Sequence, residues 1–407
     1  MDAASVAAQP TVLYQWHIAH CPKSRFANFA GFLMPLWFGS VSAEHSAVRK
    51  AAGLFDCTHM GVMDVAGRDA AKFLNVIATN EISRLADGAA QYSYILDAGG
   101  NVLDDIIVYR QGSERFMVVV NADNKAKIAA YVREKSAVKS GYDVAIRFLD
   151  AADAGKDAKV DIALQGPASA KVLGAMIAGE SKKAKLTNLK SFHFFEANLS
   201  GVEVIIARTG YTGAKVGFEL FVHPQKAAAL WELILEKGRA FGVEPCGLGA
   251  RDSLRIEAGL PLYGHELDGE YGISPFEAGY GWAVKLEKEF FIGKAAMKER
   301  AAEYVMEIVR LELPGQKGVR PIRQSDGVLD SGGRCVGWVT SCAGVGQSQI
   351  AIAYVMRGAL KEAHSVGVYY LARSQGQLQQ GKKERVEKSE MLPADLTGKV
   401  VSRFAKV

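Results

Sequence analysis

Two adjacent acids, Asp104 and Asp105, stand inside an otherwise apolar run, residues 99–110, which reads GGNVLDDIIVYR. The Gly-Gly-Asn opening is a turn signal, and the β-branched residues after it predict a strand. Side chains alternate across a strand, so the two acids point to opposite faces. Asp104 then shares a face with Val102, Ile106 and Val108, and Asp105 shares one with Leu103, Ile107 and Tyr109. Neither face is polar, and burying a bare carboxylate is costly. Asp104 has two readings: a cap on the turn just before it, by the usual turn chemistry of Asp, or a cavity wall. Asp105, deeper in the strand, is expected to face a cavity that takes a nitrogenous or cationic ligand, because perturbed carboxylates in clefts are where chemistry is found.

Three further stretches carry candidate groups. Residues 208–221, RTGYTGAKVGFELF, place Tyr211 on a tight glycine turn and Glu219 between Phe218 and Leu220 in the next strand. A carboxylate there suits the amino-plus-NH edge of a pterin or guanine through two parallel charge-assisted hydrogen bonds; the other reading is a solvated acid on an open strand face. Residues 245–264, PCGLGARDSLRIEAGLPLYG, put Arg251 in the first turn of a predicted helix, where the helix dipole disfavours a cation. That hints at an anionic or carbonyl ligand, against a salt bridge to Asp252 or Glu257. The Gly247-x-Gly249 pair lacks the third glycine of a dinucleotide fingerprint, since position 252 is Asp. Asn121, after a strand at 118–120, orients a ligand or caps a helix. No nucleophile elbow, P-loop or Ser/His/Asp motif is present. The polar groups on offer suit binding and polarising a flat nitrogen heterocycle better than forming a covalent intermediate.

The elements that must position these groups are α+β in character. Helices are predicted at 44–53, with Gly53 as C-cap, and at 68–77, with Ala70, Phe73, Leu74 and Ile77 on one face. Residues 115–134 and 218–238 each read as a strand, a polar break and an amphipathic helix, which suggests a duplicated α+β architecture. After residue 300 the chain turns to short strands between Gly-rich turns, an all-β barrel or jelly-roll module ending in a charged, partly mobile tail after Gly381. The 407 residues allow two or three domains, and 49% hydrophobic with 23% charged residues describes a soluble globular chain. No apolar run approaches the 18 or so residues of a membrane span. The first fifteen residues look like neither a secretory signal nor a transit peptide, so a cytoplasmic place is expected. Five scattered cysteines without a CxxC pair argue against zinc or a disulfide framework. His17 and His20 form the one close histidine pair, with no acidic or thiol partner nearby on their face, so no metal is expected. A net charge of +5 is too small and too spread for nucleic acid, and suits docking to an acidic protein.

Taken together, the motifs resemble those of the glycine cleavage T protein family, the tetrahydrofolate-dependent aminomethyltransferases. They are Phe29-Ala30-Gly31, LFDCTHMG at 54–61, GGNVLDDIIVYR, VVNA at 119–122, LQGP at 164–167, RTGYTG and PCGLGARDSLRIEAGLPLYGHEL, in order over residues 13–297. The resemblance implies two interleaved α+β domains with ferredoxin-like elements, residues 1–57 with 162–247 and 58–161 with 248–296. A C-terminal β-barrel or jelly roll, residues 297–407, completes a ring around a folate channel. It also implies Asp105 as the acid near N5 and N10 of tetrahydrofolate and Glu219 at the pterin edge. Arg251, Tyr211, Asn121, Asp104 and Tyr92 would complete the pocket. The implied partner is the lipoylated glycine cleavage H protein, with tetrahydrofolate as co-substrate and no metal, nucleic acid or membrane. The implied reaction takes an aminomethyl group from the lipoyl arm, releases ammonia and forms 5,10-methylenetetrahydrofolate.

The chain departs from the family pattern at Ala214-Lys215-Val216, one residue longer than usual, and at residues 340–346, TSCAGVG, where TSG and a SPSL-like run are usual. The alternative on the same scaffold is a tetrahydrofolate-dependent demethylase acting on a small S-, O- or N-methyl donor. A folate-binding protein of iron–sulfur assembly would carry KGCYxGQE where RTGYTG stands, and a nucleotide-binding oxidoreductase fails on the broken glycine fingerprint.

Overall fold

A computed structural model of the chain describes residues 8–137 and 141–405. Two compact units emerge: one from the chain up to Arg251 with Lys285–Lys294, the other from Asp252–Val284 and the chain from Ala295 onward. Helices and sheets are mixed, as the periodicities predict.

Besides a small three-stranded sheet, Gln9–Pro10, Phe32–Pro35 and Phe26–Phe29, the first unit is built on two large ones. One has six strands in the order Phe194–Leu199, Val202–Ala207, Gly217–Val222, Val160–Gln165, Ala52–Asp56 and Val243–Cys246. The last pair is parallel and the others are antiparallel. The other has five strands, Ala90–Leu96, Val102–Gly112, Arg115–Val120, Gly61–Ala66 and Ala145–Phe148, all antiparallel. Each sheet turns one face to helices. Leu54, Ile162, Leu164 and Leu220 of the larger sheet pack against Leu230, Trp231 and Ile234 of helix Pro224–Gly238. Met63, Ile106, Val108 and Val118 of the smaller pack against Phe73, Leu74, Ile77 and Ile128. The remaining faces meet, Tyr109, Met117 and Val119 against Ile205, Ala207 and Phe221. The result is helices, sheet, sheet, helices, with the candidate acids near the central seam.

Both strand-plus-helix units are where periodicity put them, one in each sheet: Arg115–Val120 with Lys125–Lys135, and Gly217–Val222 with Pro224–Gly238. Helix Ala70–Ile77 buries the four residues expected. The helix expected at 44–53 instead spans Val41–Lys50 and starts at Ser40, whose hydroxyl accepts from the Ala43 N–H at 3.2 Å. Gly53 does not cap it; it lies inside strand Ala52–Asp56, a position that side-chain periodicity could not distinguish because all five residues of that strand are buried. Glu44 points inward and accepts from the backbone N–H groups of Phe38, Gly39 and Gly247 at 2.7–3.0 Å. The glycines at 247 and 249 serve this junction. A Cβ on Gly247 would stand 2.5 Å from the Leu36 carbonyl, and the Gly249 N–H donates to that oxygen at 2.8 Å. They are packing glycines, not a phosphate loop.

In the second unit six strands close a barrel in the order Met306–Pro314, Ser348–Met356, Cys335–Val345, Gly327–Leu329, Ser365–Tyr369 and Leu396–Val401. Beyond the charged stretch that follows Gly381, Leu396–Val401 returns to pair with both Ser365–Tyr369 and Met306–Pro314, and Lys382 pairs with Asp395. A buried charge network lies at the edge of this unit. Arg255 donates to Glu266 at 2.6 Å and to Ser341 at 2.8 Å, while Thr340 donates to Glu266 at 2.7 Å. Breaking such a pair on one side strands a buried charge, whereas replacing both partners with apolar groups does not. Arg255→Met is therefore expected to lower stability to urea by about 3 kcal/mol or more, and Arg255→Met with Glu266→Leu to recover most of it. Equal losses in the single and double variants would contradict this account.

Candidate functional site

Strand Val102–Gly112 does split its two acids. Asp104 points into the helix-facing core and is fully buried, while Asp105, beside Ile107 and Tyr109, faces the seam and is partly open. A register shift opposite Ile95 and Leu96 leaves Leu103 unpaired and bends the strand at the acids. Ile107 pairs with Val119, so Asn121, two residues on, comes level with Asp105. Its amide nitrogen donates one hydrogen to each acid, 2.8 Å to Asp104 Oδ1 and 2.7 Å to Asp105 Oδ1. Asp104 also accepts from the Asn121 backbone N–H at 3.0 Å and from Asn124 at 2.6 Å. Asp104 is a cap, but of the turn Ala122–Asn124 across the sheet; the turn before it is held by Asp97, which accepts from Asn101. Asn121 makes no side-chain cap of its own and spends its amide on the two acids. Tyr92, diagonal to Asp105 on the neighbouring strand, donates to Asp105 Oδ2 at 2.9 Å.

The second group of residues lines the other sheet. Glu219 stands in strand Gly217–Val222 between two alanines, Ala163 and Ala207, which leave room around its carboxylate. Its Oε2 accepts from the Thr209 hydroxyl and, at 3.1 Å, from Tyr109 of the opposing sheet. Gln165 locks the longer turn before Glu219: its amide donates to the carbonyls of Thr209 and Phe218 and accepts from Thr212 at 2.9 Å. A Cβ on Gly210 or Gly217 would collide with that amide. Arg251 donates to Cys57 Sγ at 2.9 Å and lies 5.4 Å over the Tyr211 ring. Asp252 pairs with Arg255, so Arg251 is not drawn into the salt bridge weighed for it with that residue.

Burial raises the pKa of Asp105, and the bonds from Tyr92 and Asn121 pull it back. Burial, then the charge of Asp105, raises Asp104 against its amide donors. Glu219 is raised by burial and lowered by Thr209, Tyr109 and Arg251. Burial works against the charge of Arg251, but Cys57, Tyr211, Asp161 and Glu219 together hold its pKa above the usual arginine value. Asp104 and Asp105 thus release their protons at higher pH in the folded protein than in an unfolded chain, where such carboxyls titrate near about pH 4. Their contribution to stability is whole below that pH and fades as pH climbs through the raised folded values.

Several residues of the site escaped sequence reasoning. Asp161 sits in a strand that reads as apolar; it is 3% exposed, and its Oδ1 has no hydrogen-bond partner. Burial and Glu219 push its pKa well up. His59 is buried against Phe29 and Phe32 with neither ring nitrogen bonded, and burial, aided by Arg251, lowers its pKa to about 3. Lys288 donates to the carbonyls of Asn75, Ala78 and Asn80 at 2.6–2.8 Å, behind the Asn80 amide that grips the Tyr92 carbonyl at 2.9 Å. His17 and His20 separate. His17 bonds Asp56 at 2.8 Å, a partner from distant sequence, and His20 stacks on Trp16. The Asp56 pKa, which burial would raise, falls to about 2, chiefly through His17. Among the described residues no group of three or more His, Cys, Asp or Glu could hold a metal, and no helix is long and apolar enough to cross a membrane.

The seam between the two sheets is lined by carboxyls and hydroxyls, with the Arg251 guanidinium beside Glu219 and Asp161. The chain belongs to the GCVT family: the model of the GCVT N-terminal domain matches residues 13–288. It is 40% identical over 289 residues to an aminomethyltransferase of Chlorobium limicola, covering 71% of this chain and 75% of that one. It is 39% identical over 332 residues to an aminomethyltransferase of Desulfitobacterium hafniense, 81% and 85% of the two chains. Its structure resembles the crystal structure of glycine cleavage system aminomethyltransferase T from Bartonella henselae, with a TM-score of 0.77 and 30% identity over 97% of each chain.

Tyr92→Phe and Asn121→Ala each remove a donor that holds the Asp105 pKa down. Both variants should shift its titration upward when followed by carbon NMR of labelled aspartate. An unmoved midpoint in both would refute this electrostatic picture.

Proposed function

We propose that the protein is the aminomethyltransferase of a glycine cleavage system, a one-carbon transferase that uses tetrahydrofolate. The observation that carries this reading is the spacing of two partly buried acids along strand Val102–Gly112, Asp105 on the strand and Glu219 bonded to it across the seam. Asp105 is held by Tyr92 and Asn121, and four residues further Tyr109 bonds Glu219 across the seam. Four residues of strand span roughly 13 Å. A pterin whose amino-plus-NH edge lies on Glu219 would direct N5 and N10 along that strand toward Asp105. Arg251 and Tyr211 would flank the ring. Asp104 would act through Asn121, keeping the amide aimed at Asp105.

In this reaction the methylene carbon exchanges its bonds to the lipoyl sulfur and to the amine nitrogen for bonds to N5 and N10 of tetrahydrofolate. The two protons leaving N5 and N10 pass to the sulfur and to the amine, which departs as ammonia. Asp105 faces positive charge that develops on the methylene and on N5, and a fixed carboxylate there stabilises it without reorganising. With its pKa raised by burial, the same carboxyl can also relay a proton. The aminomethyl donor in this reading is the lipoylated H protein, docking transiently, in a cytoplasmic setting. The two sheets of the first unit would form the bodies of two α+β domains, 1–57 with 162–247 and 58–161 with 248–296, and the barrel a third, 297–407.

Ammonia release from an aminomethylated lipoyl carrier, with and without tetrahydrofolate, tests the proposal. Strong folate-dependent release is expected; a protein that binds tetrahydrofolate yet releases none would instead be a demethylase with a small methyl donor. Asp105→Asn should keep the fold and lower kcat by roughly a hundredfold or more. Near-normal turnover in that variant would remove Asp105 from the mechanism.

A further inference from the structure

The seam holds one more acid than the reaction uses. Asp161 pairs with Phe221 across the ladder, and on its other side the register that joins Ile162 to Asp56 brings it level with Cys57. It therefore lies on the same sheet face as Glu219, whose ladder partner is Ala163, two residues along the Asp161 strand. Diagonal neighbours of this kind stand roughly 7 Å apart. Arg251 faces both acids, but its Nη1 is committed to Cys57 Sγ. Asp161 Oδ1 is left buried with no donor. A buried acceptor without a donor is costly to the fold, and such groups in native proteins call for an explanation. Glu219 is furnished with two hydroxyls and Asp104 with three N–H groups, whereas the Asp161 carboxyl, bonded to the Leu220 backbone N–H, keeps an Oδ1 for which the chain supplies no donor.

We propose that Asp161 is a specificity-determining residue: its unpartnered oxygen accepts the ring N8–H of a reduced pterin whose amino-plus-NH edge is held by Glu219. The inference rests on the folate reading above and deepens it. In a tetrahydropterin the amino group and N8–H lie on adjoining edges, separated by N1, which carries no hydrogen. Two acceptors on one sheet face, diagonal to each other, match that arrangement of donors. In fully oxidised folic acid N8 is a bare lone pair, so an acceptor meets an acceptor. Asp161 thereby distinguishes the reduced co-substrate from its oxidised form at an edge remote from N5 and N10.

The test is equilibrium binding of tetrahydrofolate, folic acid and 8-deazatetrahydrofolate, in which a methylene replaces N8–H, to the full chain and to Asp161→Leu and Asp161→Asn. A missing donor opposite a buried acceptor weakens binding by roughly tenfold to a hundredfold. That loss is expected for Asp161→Leu with tetrahydrofolate, while folic acid binds the variant no worse than the parent. The deaza analogue should bind the parent weakly by a similar factor and be indifferent to Asp161→Leu. Asp161→Asn, which keeps one acceptor oxygen, should fall between. Equal losses for all three ligands, no loss for any, or a deaza analogue that binds the parent as well as tetrahydrofolate would each overturn the proposal. If Asp161→Leu does not fold, the analogue measured on the parent and on Asp161→Asn decides the matter. A parent chain that binds no tetrahydrofolate would overturn the folate reading itself, whichever way the variants behave.

Discussion

Taking carboxylates out of water is the constraint to which the first unit answers. Asp56, Asp104 and Glu219 lie in or beside its sheets, with Asp105 at the seam, and leaving such a carboxylate bare is costly. Each is met differently. Asp56 has His17, Thr11 and Thr58; Asp104 and Asp105 divide one asparagine amide; Glu219 has Thr209 and Tyr109. These donors come from strand Val102–Gly112, helix Tyr14–His20 and the loops that follow strands, and the Tyr109 bond to Glu219 ties one large sheet to the other. The apolar contacts of Tyr109 with Phe194 and Phe221 surround the hydroxyl that crosses to Glu219. Packing and site are one arrangement here, which is why Gly210 of the RTGYTG loop and Gly217 matter: they admit the Gln165 amide that holds Thr209 in place.

Much of this could be read in the chain because alternation and helical period are local properties. The strand carrying Asp104 and Asp105, the two strand–helix units and the apolar face of helix Ala70–Ile77 follow directly from them. That Asp104 and Asp105 point to opposite faces also follows from the period of two, while which face is the core depends on what packs there. What was hidden depends on pairing between distant segments. Nothing in VDIALQ marks Asp161 as a site residue until its register with Phe221 brings it beside Glu219. Tyr109 reads as an apolar strand residue until Thr209 and Glu219 surround its hydroxyl. Gly53 looked like a helix end because glycine often is one, yet a Cβ there would strike Val48 and Cys246, so tertiary crowding explains it better.

The specific motif RIEAGLPLYGHEL has a structural meaning in the second unit. Its Arg255 and Glu266 are both buried and reach Ser341 and Thr340 of the barrel strand Cys335–Val345. The departure from the family pattern begins one residue later, at Cys342, whose thiol turns to the Ile322 carbonyl. The ion pair is therefore served by the part of that strand that keeps the common residues.

Lys288 and its neighbours give the chain a timetable. The Lys285 N–H bonds the Thr79 carbonyl, the Ile292 N–H bonds the Val76 carbonyl, and the Lys288 ammonium fills a cage of three more carbonyls from residues 75–80. Those carbonyls are made some two hundred residues before the donors that answer them. During synthesis at about 5–20 residues per second, the end of helix Ala70–Ile77 and the segment after it wait on the order of ten seconds or more with these carbonyls unanswered. The first unit is thus finished late, by a strap that leaves the ribosome after much of the intervening chain, and the backing of Tyr92 is among the last parts of the site to be set.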